Sequence, residues 1–312
     1  MRTRAALLFI VICVAIVAGC TRMRPVEKTT LRFETLADLQ TYLRQNKGDL
    51  ELFRLRGPFG VSEHTDHELT LSGNQHVVGD LYLSSAKDKA PLVIFLHGYE
   101  VSKEAHGNQA MHVASWGMHA FTVQLSKRGP WEANGRTLAR IARHIRQMPA
   151  ALNDRVDPNK IILVGHSFGA SAVAVALAEG APVMGGVLLD PAAIGRNLPT
   201  YLRKISTPVL VLGADEHVSP TRNRQFFFDY IRTRIAEVSI KDATHEDAQY
   251  PSQTALQNGG LDSETTEDLQ LMFVSALTSA ALSLSATGAF DEAWASYGGA
   301  LQAGKLLNAK RK

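Results

Sequence analysis

Cysteine is nearly missing from this 312-residue chain, which holds only Cys13 and Cys20. Cys13 lies inside an apolar run near the N-terminus, so removal of that run leaves one cysteine and no intramolecular disulfide. The fold must then be held by its core alone, even in a compartment that permits disulfides. An excess of charge is missing too: 33 basic residues stand against 30 acidic ones, which argues against nucleic acid or a strongly anionic partner. Glycine-rich phosphate loops of the nucleotide-binding kind are absent. His64 and His67 stand close together, but in a segment of alternating polarity with no further ligand pattern. The expectation is no cofactor, no metal and no nucleic acid. There is no internal repeat and no low-complexity tract.

The N-terminus is informative. Arg2 and Arg4 precede an apolar run from Ala5 to Ala18, which ends in Val17-Ala18-Gly19-Cys20. A basic start, a short apolar stretch and small residues before a cut predict a secretory signal over 1–19. The run is too short for a comfortable transmembrane span. Residues 17–20 resemble a bacterial lipobox. That resemblance implies cleavage before Cys20 and acylation of both its sulfur and its new amine. Thr21, standing where an aspartate would signal retention, implies sorting away from the inner membrane. One acyl chain binds a bilayer only marginally, whereas several anchor firmly. The protein is therefore expected to be exported and anchored through Cys20, at the outer membrane facing the periplasm or the surface. Polar residues without a period follow, so 20–33 reads as a lipidated tether and 34–312 as one domain.

Within that domain, Thr35 to Gln45 has apolar residues at 36, 39 and 43 and predicts a helix with Thr35 as its cap. Residues 59–84 alternate apolar and polar, predicting two or three antiparallel strands. From residue 91 short apolar runs alternate with helical patterns. The runs are 92–96, 120–125, 161–164, 183–189, 209–212 and 236–240; helical spacing marks 137–147 and 170–179. Strands buried on both faces and joined by helices make a mostly parallel sheet flanked by helices. The tail predicts helices over 265–283 and 290–309, the second an extra C-terminal helix.

The segment Ile161-Ile-Leu-Val-Gly-His-Ser-Phe-Gly-Ala170 carries the chemistry. A serine hydroxyl needs a base beside it and donors for the oxyanion that it creates. Gly165-x-Ser167-x-Gly169 sits after a buried strand and before a small-residue helix, the strand, sharp turn and helix that such a nucleophile requires. With Asp157-Pro-Asn-Lys before it, this segment resembles the nucleophile region of α/β-hydrolases. Within that superfamily it looks like the esterase and lipase branch with acetylhydrolases, chlorophyllases and dienelactone-hydrolase-like proteins. The resemblance covers roughly 60 to 250 and implies the α/β-hydrolase fold. Leu92-Val-Ile-Phe-Leu-His-Gly-Tyr99 resembles the strand that leads into the family's oxyanion loop, implying backbone donors at Tyr99 and Phe168. His97 reads as a structural residue of that loop. Trp131 either lines the cleft or packs.

The base follows from order. Of eleven histidines, only His166, His217 and His245 follow Asp157. His166 lies in the turn itself and should point away from Ser167. Ala-Thr-His245, after the last strand-like run, resembles the family's base. The acid stays open. Leu189-Asp190-Pro191 resembles enzymes whose acid follows the sixth strand. Gly213-Ala-Asp-Glu216 resembles the commoner pattern after the seventh, with Glu216 in the acid position. Asp190 is preferred, because a carboxylate at the end of a buried strand needs a partner; Glu216 is the alternative. Only about 17 residues separate Asp190 from the next strand, so no large lid is expected. The expected function is serine-dependent hydrolysis of small carboxylic esters through an acyl-enzyme. Competing readings are a peptidase or amidase on the same residues, and a catalytically silent binding lipoprotein.

Overall fold

A computed structural model describes residues 26–46, 48–219, 223–259 and 261–312. The expected signal over 1–19, Cys20 and the start of the tether lie outside the described residues. Within the rest of the expected tether, the chain is already docked: Thr29 N–H donates to Arg56 O at 2.8 Å, and Arg56 N–H donates to Glu27 O at 2.8 Å. The body therefore begins by Glu27.

The strands are β1 (Val61–Leu71), β2 (Gln75–Ser84), β3 (Ala90–Leu96), β4 (His119–Gln124), β5 (Val156–His166), β6 (Gly185–Leu189), β7 (Val209–Gly213), β8 (Ile235–Ile240) and β9 (Leu306–Arg311). The helices are α1 (Leu36–Asn46), α2 (Leu50–Arg54), α3 (Gly107–Ser115), α4 (Trp131–Gln147), α5 (Phe168–Ala178), α6 (Leu198–Leu202), α7 (Asn223–Tyr230), α8 (Gln253–Asn258), α9 (Glu264–Thr287), α10 (Asp291–Ser296) and α11 (Gly298–Gln302). One sheet runs in the order β1-β2-β4-β3-β5-β6-β7-β8-β9. The steps from β4 to β8 are parallel, while β1, β2 and β9 add antiparallel edges.

The parallel strands are mainly apolar because both faces are covered, although β4 and β8 also bury polar residues such as Thr122 and Glu237. Every residue of β3, β6, β7 and β8 is buried. On one face, α4, α5, α6 and α7 pack on residues such as Ile94, Leu163 and Val211. On the other, α1, α2, α3, α9 and α10 cover Phe95, Val164 and Leu212. Helix α5 has no polar face and is buried almost throughout, because it lies between the sheet and α4. A Cβ on Gly135 of α4 would stand 2.6 Å from Ala172 O, so only glycine permits this approach. Helix α9 is long and apolar enough to cross a bilayer, yet it is mostly buried within the domain and packs against the sheet.

The cap expected of Thr35 forms, its Oγ1 accepting from Asp38 N–H at 3.1 Å. The extra C-terminal helix is present, as α10 and α11, but it does not run on to 309 as expected. After the short α10 and α11 the chain turns at Gly304 (φ 67°) and extends as β9. Leu306 and Leu307 pair with Ile240 and Ser239 of β8. Local spacing favoured a helix, but the unpaired backbone along the edge of β8 supplied ladder bonds that no local pattern records.

Candidate active site

Strand β5 ends at His166 and α5 begins at Phe168, which leaves Ser167 alone to reverse the chain. It does so at φ 55° and ψ −120°, a left-handed backbone that costs a non-glycine residue on the order of 1–3 kcal/mol. The surroundings hold it there. Ser167 N–H donates to Leu189 O at 3.1 Å and Ala192 N–H donates to Ser167 O at 3.1 Å, tying the turn to the end of β6. A Cβ on Gly165 would meet Gly169 O at 2.5 Å, and one on Gly169 would meet His97 O at 2.4 Å. The two glycines of the motif thus make the turn sterically admissible. Ser167 is 7% exposed, and its hydroxyl has no hydrogen-bond partner among the described residues.

The loop after β3 lies against this turn. A Cβ on Gly98 would come within 3.2 Å of Ser167 Cβ, which brings the next residue, Tyr99, to the serine. His97 holds the loop. Its Nε2 accepts from Leu125 N–H at 3.2 Å and from Gln124 Nε2 at 2.9 Å, so the proton sits on Nδ1, which donates to Gly98 O at 2.9 Å. Burial pushes the His97 pKa below its ordinary value, against the opposing pull of the Gly98 and Leu125 carbonyls. The Tyr99 amide donates to no backbone acceptor among the described residues. Phe168 opens α5, so its N–H has no intrahelical acceptor. The two amides expected as oxyanion donors are thus both unspent beside Ser167. Their side chains form an aromatic ledge: the rings of Tyr99 and Phe168 lie 5.4 Å apart, and Trp131 meets Phe168 edge-on at 5.4 Å. Trp131, 8% exposed, packs against Phe168 and lines a cavity beside it.

His245 follows β8, and its Nδ1–H donates to Asp190 Oδ2 at 2.5 Å. Asp190 is 4% exposed and also takes an unusual backbone, φ 34°. Its Oδ1 accepts from Ala214 N–H at 2.9 Å, and its own N–H donates to Leu212 O at 2.7 Å. The carboxylate is therefore held by the end of β7 with one oxygen left for the imidazole. Glu216, the alternative acid, lies elsewhere: it pairs with the buried Arg224 guanidinium at 3.1 Å. Asp215 has a third task. It accepts from His217 N–H at 3.0 Å and from Asp242 N–H at 2.9 Å, joining the ends of β7 and β8. Burial raises its pKa, but those N–H donors together with the His217 ring outweigh it and the net displacement is downward.

His166 points away from Ser167, as expected, but it is not idle. Its Nε2–H donates to His245 O at 3.0 Å, and its ring lies 4.5 Å from the His245 ring. Complete burial drives its pKa well below the ordinary value, and neighbouring His245 and His106 add to the displacement. The layer continues into His106, lowered by burial to about 4, and Gln109, which donates to Ala248 O at 3.1 Å. No motif marks this layer, because its members come from separate elements. A cavity of about 280 Å³ beside Phe168 was equally invisible, since its walls come from three distant stretches. Among the described residues no cluster of three or more His, Cys, Asp or Glu is arranged to hold a metal ion. His67 instead bonds Ala151 O at 3.0 Å, and His64 lies on exposed β1.

A serine on a strained strand-to-helix turn, above a covered and mostly parallel sheet, places this chain among the α/β-hydrolase folds. The chain belongs to the alpha/beta hydrolase family: the family model matches residues 93–302, well over half of its length. No curated protein matches it.

Proposed function

We propose that the protein is a serine hydrolase of carboxylic esters. The observation that carries this reading is the His245–Asp190 hydrogen bond of 2.5 Å, formed next to a serine held at φ 55°. In the proposed reaction His245 Nε2 takes the Ser167 proton as Oγ attacks the ester carbonyl. The Tyr99 and Phe168 amides hold the oxyanion, an arrangement in which one donor is typically worth about 10²–10³ in rate. The tetrahedral intermediate collapses, the C–O bond to the alcohol breaks, and His245 gives its proton to the departing oxygen. Water then repeats the sequence on the acyl-enzyme and frees Ser167. Asp190 keeps the imidazole proton on Nδ1 and balances the imidazolium.

Fluorophosphonate labelling tests this. Wild type should label at Ser167 and the Ser167→Ala variant should not; an unlabelled wild type overturns the reading. Nitrophenyl esters set against aminoacyl anilides separate an esterase from an amidase on the same residues. We further propose export and anchoring through Cys20, on the strength of Val17-Ala18-Gly19-Cys20. Radiolabelled palmitate should enter wild-type protein and not the Cys20→Ala variant; equal incorporation in both overturns the anchor.

A further inference from the structure

The cavity beside Phe168 has a volume of about 280 Å³. Trp131 of α4, Phe168 and Val175 of α5, Ile194, and Leu198 of α6 give it a mainly apolar wall. Neither Ser167 nor His245 lines it. Phe168 links the cavity to the serine turn: it directly follows Ser167 and forms one wall, and Trp131 braces its ring.

The two sides of the sheet decide which half of an ester enters. His245 rests on His166, which continues through His106 to Phe95 on the face covered by α3 and α9. The cavity lies on the other face, among α4, α5 and α6. In acyl transfer the leaving alcohol takes its proton from the base and so departs on the side of His245. The group that extends past Phe168, away from His245, is then the acyl group. Size narrows the choice further. A buried apolar cavity of about 150 Å³ is enough for a benzene molecule. A volume not quite twice that holds a chain of roughly eight carbons. Beyond that length the chain leaves through the open mouth and gains little further burial.

We propose that this cavity is an acyl pocket, and that the protein prefers esters of medium-chain carboxylic acids over acetyl esters. The proposal rests on the esterase reading above, and its test separates the two. Nitrophenyl esters of acetic, butyric, octanoic and dodecanoic acid are compared in wild type and in Ile194→Trp, which fills the pocket from a loop. For wild type, kcat/KM should rise at least about tenfold from acetyl to octanoyl and then level off. In Ile194→Trp the octanoyl-to-acetyl ratio should fall by about tenfold. Leu198→Ala, which enlarges the pocket, should move the optimum to longer chains and keeps the test open if the first variant does not fold. Fluorophosphonate labelling reports the intact site in each variant. An unchanged ratio in labelled Ile194→Trp overturns the pocket and leaves the esterase reading standing. Chain-length dependence found in a series of acetyl esters of different alcohols, and not in the acyl series, also overturns it. Absence of turnover on every ester, with Ser167 unlabelled, overturns both.

Discussion

Strands β6 and β7 are neighbours of equal length, fully buried, and both run out into carboxylates at the same rim of the sheet. Their ends nevertheless do different work. At the end of β6, Asp190 spends one oxygen on Ala214 N–H and the other on His245. At the end of β7, Asp215 accepts from backbone N–H groups with both oxygens and also meets the exposed His217 ring, which lies away from Ser167, at 3.1 Å, while Glu216 turns outward to Arg224. One end holds the imidazole that follows β8, and the other ties together the loops that place it. The lesson is that a carboxylate's role follows from the donors which reach it, since the residue type and its place at a strand end are shared.

The largest expected effect would break the comparison outright. Asp190→Asn should lower kcat on a nitrophenyl ester by about 10³–10⁴-fold, because the wrong imidazole tautomer is then favoured. Glu216→Gln should leave kcat within about threefold. A comparable loss in the Glu216 variant would reverse the two assignments.

A pH titration of stability sharpens the comparison. His106 supports the loop of His245, and burial lowers its pKa to about 4; His112 and His119 are lowered to about 4 by burial in the same way. Between pH 6.5 and 4 the unfolded chain binds protons at these sites and the folded chain does not. Stability therefore falls as the pH drops through that window, by up to about 3 kcal/mol for each histidine. Asp215 behaves differently: with its pKa lowered, its contribution is present above about pH 4 and is lost below it. Urea unfolding at successive pH values should show the first loss in wild type and in Asp215→Asn alike. The second loss should be smaller in the variant.

The smallest effect concerns Glu216. Its side chain is 40% exposed, but its partner Arg224 is 2% exposed and packs over Gly213. Glu216→Gln should destabilise the fold by about 1 kcal/mol, an ion pair discounted for solvent screening, read as a small drop in the urea midpoint.

Much of the fold was legible in the sequence for one reason. Parallel strands covered on both faces are mainly apolar, so β3 to β8 stand out as runs separated by helical spacing. The nucleophile turn was legible because close approach of backbone to backbone demands glycine at 165 and 169. Strand β9 was not, because Leu306 to Arg311 pairs with a strand about 70 residues earlier, and such pairing leaves no local period. The acyl pocket was hidden for the same reason, as Trp131, Val175 and Leu198 meet only once α4, α5 and α6 have packed.

The sequence by itself determined the α/β class, the strained serine turn and a histidine after the last parallel strand, because each is a local requirement of backbone sterics or burial. Only the tertiary structure decided which carboxylate meets His245. That choice depends on where the loop from Ala243 to Tyr250 lands. Asp215 N–H bonding to Ala243 O, His166 to His245 O, and Gln109 to Ala248 O together place it. No single segment contains those three contacts, so no reading along the chain could have chosen between two strand ends of the same chemistry.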